Sequence, residues 1–545
     1  MGAIMRNVVK TDLFKIIFAN IVSQGFLLIL SGTFWDDWGS YYCDRIASIR
    51  SGIEIGRPVS AFWSRVVWNL PNYGYRWLVF LGFLFTSIIL YVLLSKSDGF
   101  SRKEALYISL LYTVFPINDA RVLLATFPYS VGWLSFFIGL YMFALWWKDN
   151  SRKKPLLRVI TLLFFVHSFI LNSLLVYYAI VLLYILYMEY IYNRSIMKAI
   201  VRMFKYVDFI LLPIVYFVGK QLLFPAYGRY EGYNSVTLSK VLSAAYSLPI
   251  VTIKHVWAIW SDVFDSFVPH RVTLICSAVI VLYGVLQFVC YMLDKKSLKR
   301  ICEGEGIRNS GFAKIVLGII MFVLGLYPYM VAHNTTWFAI YGVDSRDSML
   351  LGPGLALILF YCFNMAWKKE ITRKVTVYII IFFSILTCNV HYMNYQRDAY
   401  WQEVLIYQLS LNDQIREAEN ILFLSDDDTG ISGTRFYSLN GDASVAYGDQ
   451  SRLFMYGYSD LHMLQTDRSV LVESGADLMN DYDVNHNKLD CVVVYSCDIN
   501  YIQCLKLKLL EMFRYSRYRE IIENMGSLNY YPADSPEAIE LLEGV

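Results

Sequence analysis

The residues best suited to chemistry stand together near the amino terminus, in Thr33-Phe34-Trp35-Asp36-Asp37-Trp38-Gly39-Ser40-Tyr41-Tyr42. Neighbouring carboxylates disfavour one another's ionisation, and an apolar boundary adds to the effect. That suits a general base, either Asp36 or Asp37. Asp37 is slightly preferred, because Trp38 and Gly39 beside it ease close approach. The Trp38 indole offers a flat apolar face to a sugar or a prenyl chain. The same residues also fit a solvated acidic pair beside an interfacial aromatic belt.

Three further stretches carry charge where chemistry could use it. Arg57, in Gly56-Arg57-Pro58-Val59-Ser60, could clamp a phosphate with two parallel hydrogen bonds, or anchor its loop at the headgroups. Asp119 and Arg121 could supply a second acid and a phosphate ligand, or form a local capping pair. They precede Thr126-Phe127-Pro128-Tyr129-Ser130. Arg346, in Tyr341-Gly342-Val343-Asp344-Ser345-Arg346-Asp347-Ser348, could bind a lipid-carrier phosphate or form a structural salt bridge.

Other leads fail on spacing. Asp426-Asp427-Asp428-Thr429-Gly430 reads as a solvated turn. Asp481-x-Asp483-x-Asn485-x-Asn487 begins like a calcium loop, but His486 replaces the required Gly and Val492 the bidentate Glu. The 7 histidines lack ligand spacing, and the 9 cysteines form no CxxC pair. One disulfide among Cys491, Cys497 and Cys504 is an open alternative.

The elements that must position these residues are membrane spans. A crossing takes about 20 mostly apolar residues. Eleven candidate runs occur, at 14–32, 77–95, 104–118, 129–147, 156–171, 174–192, 207–224, 272–293, 315–332, 348–367 and 375–391. The fifth and sixth are separated only by Asn172 and Ser173, which requires a tight turn or a broken helix. The first run has no small-x-small cleavage site and reads as an uncleaved span. Lys and Arg concentrate in alternate loops, such as Lys148, Arg152, Lys153, Lys154 and Arg158. The positive-inside rule makes those loops cytoplasmic. The amino terminus is then inside and the tail outside.

The loops carrying Asp36, Asp37, Arg57, Asp119, Arg121 and Arg346 all face outward in this topology. Another long outer loop, about 225–271, holds amphipathic stretches at 236–247 and 251–264, expected to lie along the interface. The fold class is a mostly α polytopic membrane domain, 1–391, followed by a small extracytoplasmic α/β domain, 392–545. In the tail, 420–424 and 491–495 read as buried strands and 502–515 as a helix.

Composition agrees. Apolar residues make up 57 % and charged ones 17 %, against about 25 % charge in soluble domains. The net charge of +3 is too small to imply nucleic-acid binding. Neither a Gly-rich phosphate loop nor an internal repeat is present.

Five motifs, taken together, carry a resemblance. Phe34-Trp35-Asp36-Asp37-Trp38, Gly56-Arg57-Pro58, Phe127-Pro128-Tyr129-Ser130, Leu171-Asn172-Ser173-Leu174-Leu175 and Ser345-Arg346-Asp347 make the membrane part, roughly 1–400, resemble the GT-C superfamily of membrane glycosyltransferases. They look most like the bacterial serotype-conversion O-antigen glucosyltransferase family 2. The resemblance implies an inverting hexosyltransferase in the cytoplasmic membrane. Its donor would be a polyprenyl-phosphate-linked sugar and its acceptor a cell-surface glycan or lipid-linked glycan. Asp36 or Asp37 would be the base, Asp119 the acid of the second loop, and Trp38, Arg57, Arg121, Tyr129 and Arg346 substrate ligands. Relatives often have Ser-Arg-His where this chain has Ser345-Arg346-Asp347, so the role of Asp347 stays open. Some relatives use a divalent metal and others do not.

Two competing readings are a flippase for a lipid-linked glycan and an O-antigen polymerase or ligase. The first predicts ionisable residues deep in the spans and internal repeats. The second predicts a key loop late in the chain. The early acidic loop favours the transferase.

Overall fold

The computed structural model describes residues 2–38, 45–68, 70, 73–97, 99–232, 236–265, 267, 311–333, 341–367, 369–425, 435–457, 460–462 and 488–543. The expected run 272–293 and the acidic turns at 426–430 and 481–487 lie outside the described residues.

The chain is mostly helical, with a small sheet near its carboxyl end. Among the described residues, eight helices are long and apolar enough to cross a membrane. Seven coincide with expected runs: Lys10–Leu28, Tyr75–Ser95, Phe127–Lys148, Ser173–Asn193, Gly311–Ala332, Val343–Ala366 and Glu370–Ser410. The runs at 104–118, 156–171 and 207–224 form shorter helices of 13, 15 and 17 residues. The eighth long helix, Leu238–Phe264, joins the two stretches expected to lie separately at the interface. It passes through Pro249 without ending.

The chain divides into two compact units. The first comprises Met1–Leu28, Ser51–Val122 and Thr126–Val390. The second comprises Ile29–Arg50, Leu123–Ala125 and His391–Val545.

In the first unit, local sequence sets several helix ends. Ser101 and Glu104 form a reciprocal capping box that starts the helix Arg102–Val114. That helix stops at Phe115, which is extended because Pro116 follows it. Between the fifth and sixth runs the helix Lys154–Ser168 ends and a new one starts at Ser173, so the path turns there. Small residues let helices approach: a Cβ on Gly354 would lie 2.7 Å from the Gly318 carbonyl and 2.6 Å from the Phe322 nitrogen. The core is aromatic. Trp133 meets Phe137 edge-on at 4.9 Å and donates its ring N–H to Tyr112 Oη at 2.9 Å, so its one polar atom is satisfied.

The second unit holds a four-stranded sheet of β1 (Asn420–Ser425), β2 (Leu453–Tyr456), β3 (Cys491–Ser496) and β4 (Ser527–Pro532), in the order β2-β1-β3-β4. β1 pairs parallel with both β2 and β3, while β4 runs antiparallel to β3. The apolar runs of β1 and β3 place Ile421, Phe423, Cys491 and Val493 in the core. Asn440, on the helix Arg435–Tyr447, accepts the Phe454 N–H and donates to the Phe454 carbonyl, each at 2.9 Å, so it completes the outer edge of β2. Cys491, Cys497 and Cys504 are all buried free thiols.

Candidate active site

The acidic loop belongs to the second unit. Backbone bonds from Asp37 N to Phe34 O and from Trp38 N to Trp35 O, each 3.1 Å, close a turn, with Trp35 at φ +51°. The Asp37 side chain is fully buried. Its Oδ2 accepts the Leu124 N–H at 2.7 Å and its Oδ1 the Ala125 N–H at 2.9 Å. Two backbone donors of this kind hold a carboxylate in a fixed orientation. Asp36, next to it, is half-buried. Trp38 is only 3 % exposed, and a Cβ on Gly441 would fall 2.3 Å from its ring. The ring expected to present an open face to a sugar is therefore packed on the backbone. The turn is held further by Gln396, which donates to Ser31 Oγ at 2.7 Å and accepts the Ser31 N–H at 3.1 Å.

The other charged residues lie in the first unit. Asp119 is buried and accepts the Gly342 N–H at 3.0 Å and the Ser345 hydroxyl. Ser345 also accepts the Ala120 N–H at 2.9 Å. Asp119 thus ties its own turn to the loop that carries Arg346. Arg121 is 4 % exposed: its guanidinium stacks on Phe83 at 4.1 Å and donates to the Asn118 carbonyl. That is a packed interior position, removed from the open phosphate contact expected of it.

Arg57 and Arg346 are placed otherwise. Arg57 donates to Tyr129 Oη at 3.2 Å. Arg346 lies 3.8 Å from Asp344 and 3.9 Å from Asp347. Both arginines act electrostatically on Asp347, which is 8 % exposed. Tyr329 joins them: its hydroxyl accepts from Ser173 Oγ at 3.0 Å and feels the charges of Asp347 and Arg346. Segments around 57, 129, 173, 329 and 346 thereby converge on one ionisable cluster.

No family model, curated protein or solved structure matches the chain. The resemblance to the GT-C glycosyltransferases thus rests on the five motifs and the layout of the spans. Among the described residues, no three His, Cys, Asp or Glu side chains gather as a metal site.

Lys220 and Tyr329 were not singled out from the sequence, and Asn172 entered only as a break between runs and within the motif Leu171-Asn172-Ser173-Leu174-Leu175. Lys220 sits near the end of an apolar helix, where a lysine ordinarily reaches for the headgroups. The available signal was a cation within run 207–224, whose neighbours Phe217, Val218, Leu222 and Leu223 are apolar.

Proposed function

We propose that the chain is a membrane glycosyltransferase that moves a sugar from a polyprenyl-phosphate donor to a glycan or lipid-linked acceptor on the outer face of the membrane. The observation that supports this most is the convergence of Arg57, Tyr129, Arg346 and Asp347 in one cluster. Cations at headgroup depth suit the phosphate of a lipid carrier. The topology behind the reading has eleven crossings, a cytoplasmic amino terminus and an outer tail.

In this reading Arg57 and Arg346 bind the carrier phosphate. A carboxylate of the 36–37 pair takes the proton of the acceptor hydroxyl. The acceptor oxygen bonds to the anomeric carbon as the bond from that carbon to the phosphate oxygen breaks. The bonding pair leaves on the phosphate, and the sugar inverts. Asp36 is the better base, because both oxygens of Asp37 already accept backbone N–H groups.

The test is incubation of purified protein with polyprenyl-phosphate sugars. Acceptor-dependent release of polyprenyl phosphate supports the reading, and its absence with every donor refutes it. Orientation is checked with a reporter that works only in the cytoplasm, fused after Val545. It should stay silent, and a signal would reverse the topology.

A further inference from the structure

The turn Asp119–Val122 carries two interior charges. Asp119 accepts the Gly342 N–H and the Ser345 hydroxyl. At the other end the Val122 carbonyl accepts from Tyr75 Oη at 2.6 Å and from Arg76 Nε at 2.9 Å. Between them stands Arg121, whose Nε donates to the Asn118 carbonyl and whose guanidinium covers Phe83. Among the described residues no carboxylate pairs with Arg121, and its Nη1 is buried without a hydrogen-bond partner. Asn118 is 7 % exposed, and its Oδ1 is buried without a partner as well. The charges of Asp119 and Asp262 reach Cys388 along with that of Arg121, so both acids belong to this neighbourhood. A charged donor left unmet in the interior is costly.

Arg121 and Asn118 line a cavity of about 20 Å³. A single water needs roughly 10–15 Å³, so the space suits one small particle. Tyr112, also on the wall, accepts the Trp133 ring N–H at 2.9 Å and has its own proton left to donate. The Ser130 hydroxyl can turn either way. Thr86 differs: its proton goes to the Gly82 carbonyl at 2.8 Å, so it offers lone pairs. Donors predominate, and the strongest is a buried cation. Water would need acceptors as well as donors, whereas an anion takes donors alone.

We infer that this cavity is a structural site for one small monovalent anion of the halide class, held by Arg121, Asn118 and Tyr112. The inference goes beyond the transferase reading and does not depend on it. The anion fixes the turn whose Asp119 bonds to the loop that carries Arg346.

Thermal unfolding of the full chain in detergent tests this without any turnover. The protein is kept in gluconate at fixed ionic strength while chloride or bromide replaces it. The wild-type midpoint should climb with each tenfold of halide above the dissociation constant. Sulfate and phosphate should leave it near the gluconate value, because a dianion loses more hydration on entry. Asn118→Asp sets a carboxylate beside the guanidinium in place of the ion. It should raise the midpoint in gluconate and remove most of the halide shift. Arg121→Met should lose the halide shift too. Should that variant fail to fold, the Asn118→Asp comparison decides. A halide shift in Asn118→Asp equal to that of wild type would mean a general salt effect and overturns the site. No halide shift in the wild type would mean that the cavity holds water alone, which overturns it as well. An equal shift with phosphate would overturn the assignment to a small monovalent ion.

Discussion

The Asp37 carboxylate accepts the Leu124 backbone N–H at 2.7 Å, joining the acidic loop to a segment far along the chain. Its second oxygen takes the next N–H, from Ala125. An Asn at position 37 would turn an amide N–H₂ toward one of these donors. Asp37→Asn should therefore destabilise the fold by about 1–3 kcal/mol, the cost of an unmet buried donor. Thermal unfolding in detergent measures this. An unchanged midpoint with lost turnover would instead make Asp37 the base.

Ser345 links three groups: the Asp119 carboxylate, the Ala120 N–H and the Gly342 carbonyl. Ser345→Ala leaves the Ala120 N–H without that acceptor. Stability should fall by about 1–3 kcal/mol. Arg346 is the next residue, so the donor KM should rise too. A variant with wild-type KM and stability would show that this lock does not set the position of Arg346.

Arg57 should be the more demanding cation. Arg57→Ala should weaken donor use by about 2 kcal/mol or more, and Arg57→Lys should recover only part, since the planar fork is lost. Tyr129→Phe removes the hydroxyl that Arg57 bonds, at a cost of about 1 kcal/mol in the same assay. Full donor use by Arg57→Ala would take this side chain out of the site.

The thiols of the sheet unit give a pH test. Burial pushes the Cys491 thiol from 9.0 up to about 12, and it pushes Cys504 likewise to about 12. Folding thus holds the proton on, whereas the unfolded chain releases it near its ordinary value. The stability these thiols contribute is full below about pH 8.5 and is lost as pH rises toward the folded value. In a variant whose only thiols are Cys491 and Cys504, maleimide labelling at neutral pH should be slow in the folded protein and should accelerate on unfolding. Rapid labelling of the folded protein at neutral pH would contradict the burial.

Legibility followed the strength of the local signal. Ile421–Leu424 and Val492–Val494 are uninterrupted apolar runs, and both proved to be central strands. β2 has only four residues, and β4 alternates with exposed polar positions, so neither stands out from loops. The expected break near 391 fell inside the 41-residue helix Glu370–Ser410. Beyond the membrane-like run that helix turns amphipathic, and Tyr400, Trp401, Val404, Leu405 and Leu409 bury against the sheet. A hydropathy reading sees only the loss of apolar residues. The two amphipathic stretches expected at 236–247 and 251–264 form one helix, with Pro249 inside it. At the candidate site, types and spacing singled out Arg57 and Arg346, and the resemblance added Tyr129. They could not show that Trp38 and Arg121 turn inward, because packing against Gly441 and Phe83 depends on distant chain segments. Lys220 escaped for the same reason.

The most direct measurement is sugar transfer itself, followed with radiolabelled polyprenyl-phosphate sugars, for wild type and Asp36→Asn side by side. The wild type should release one polyprenyl phosphate for each sugar transferred. In Asp36→Asn, folded and inserted, turnover should fall by roughly 10²-fold or more, the scale of a lost general base. Label that crosses the bilayer still joined to its carrier, with no bond broken, would contradict the transferase and indicate a flippase.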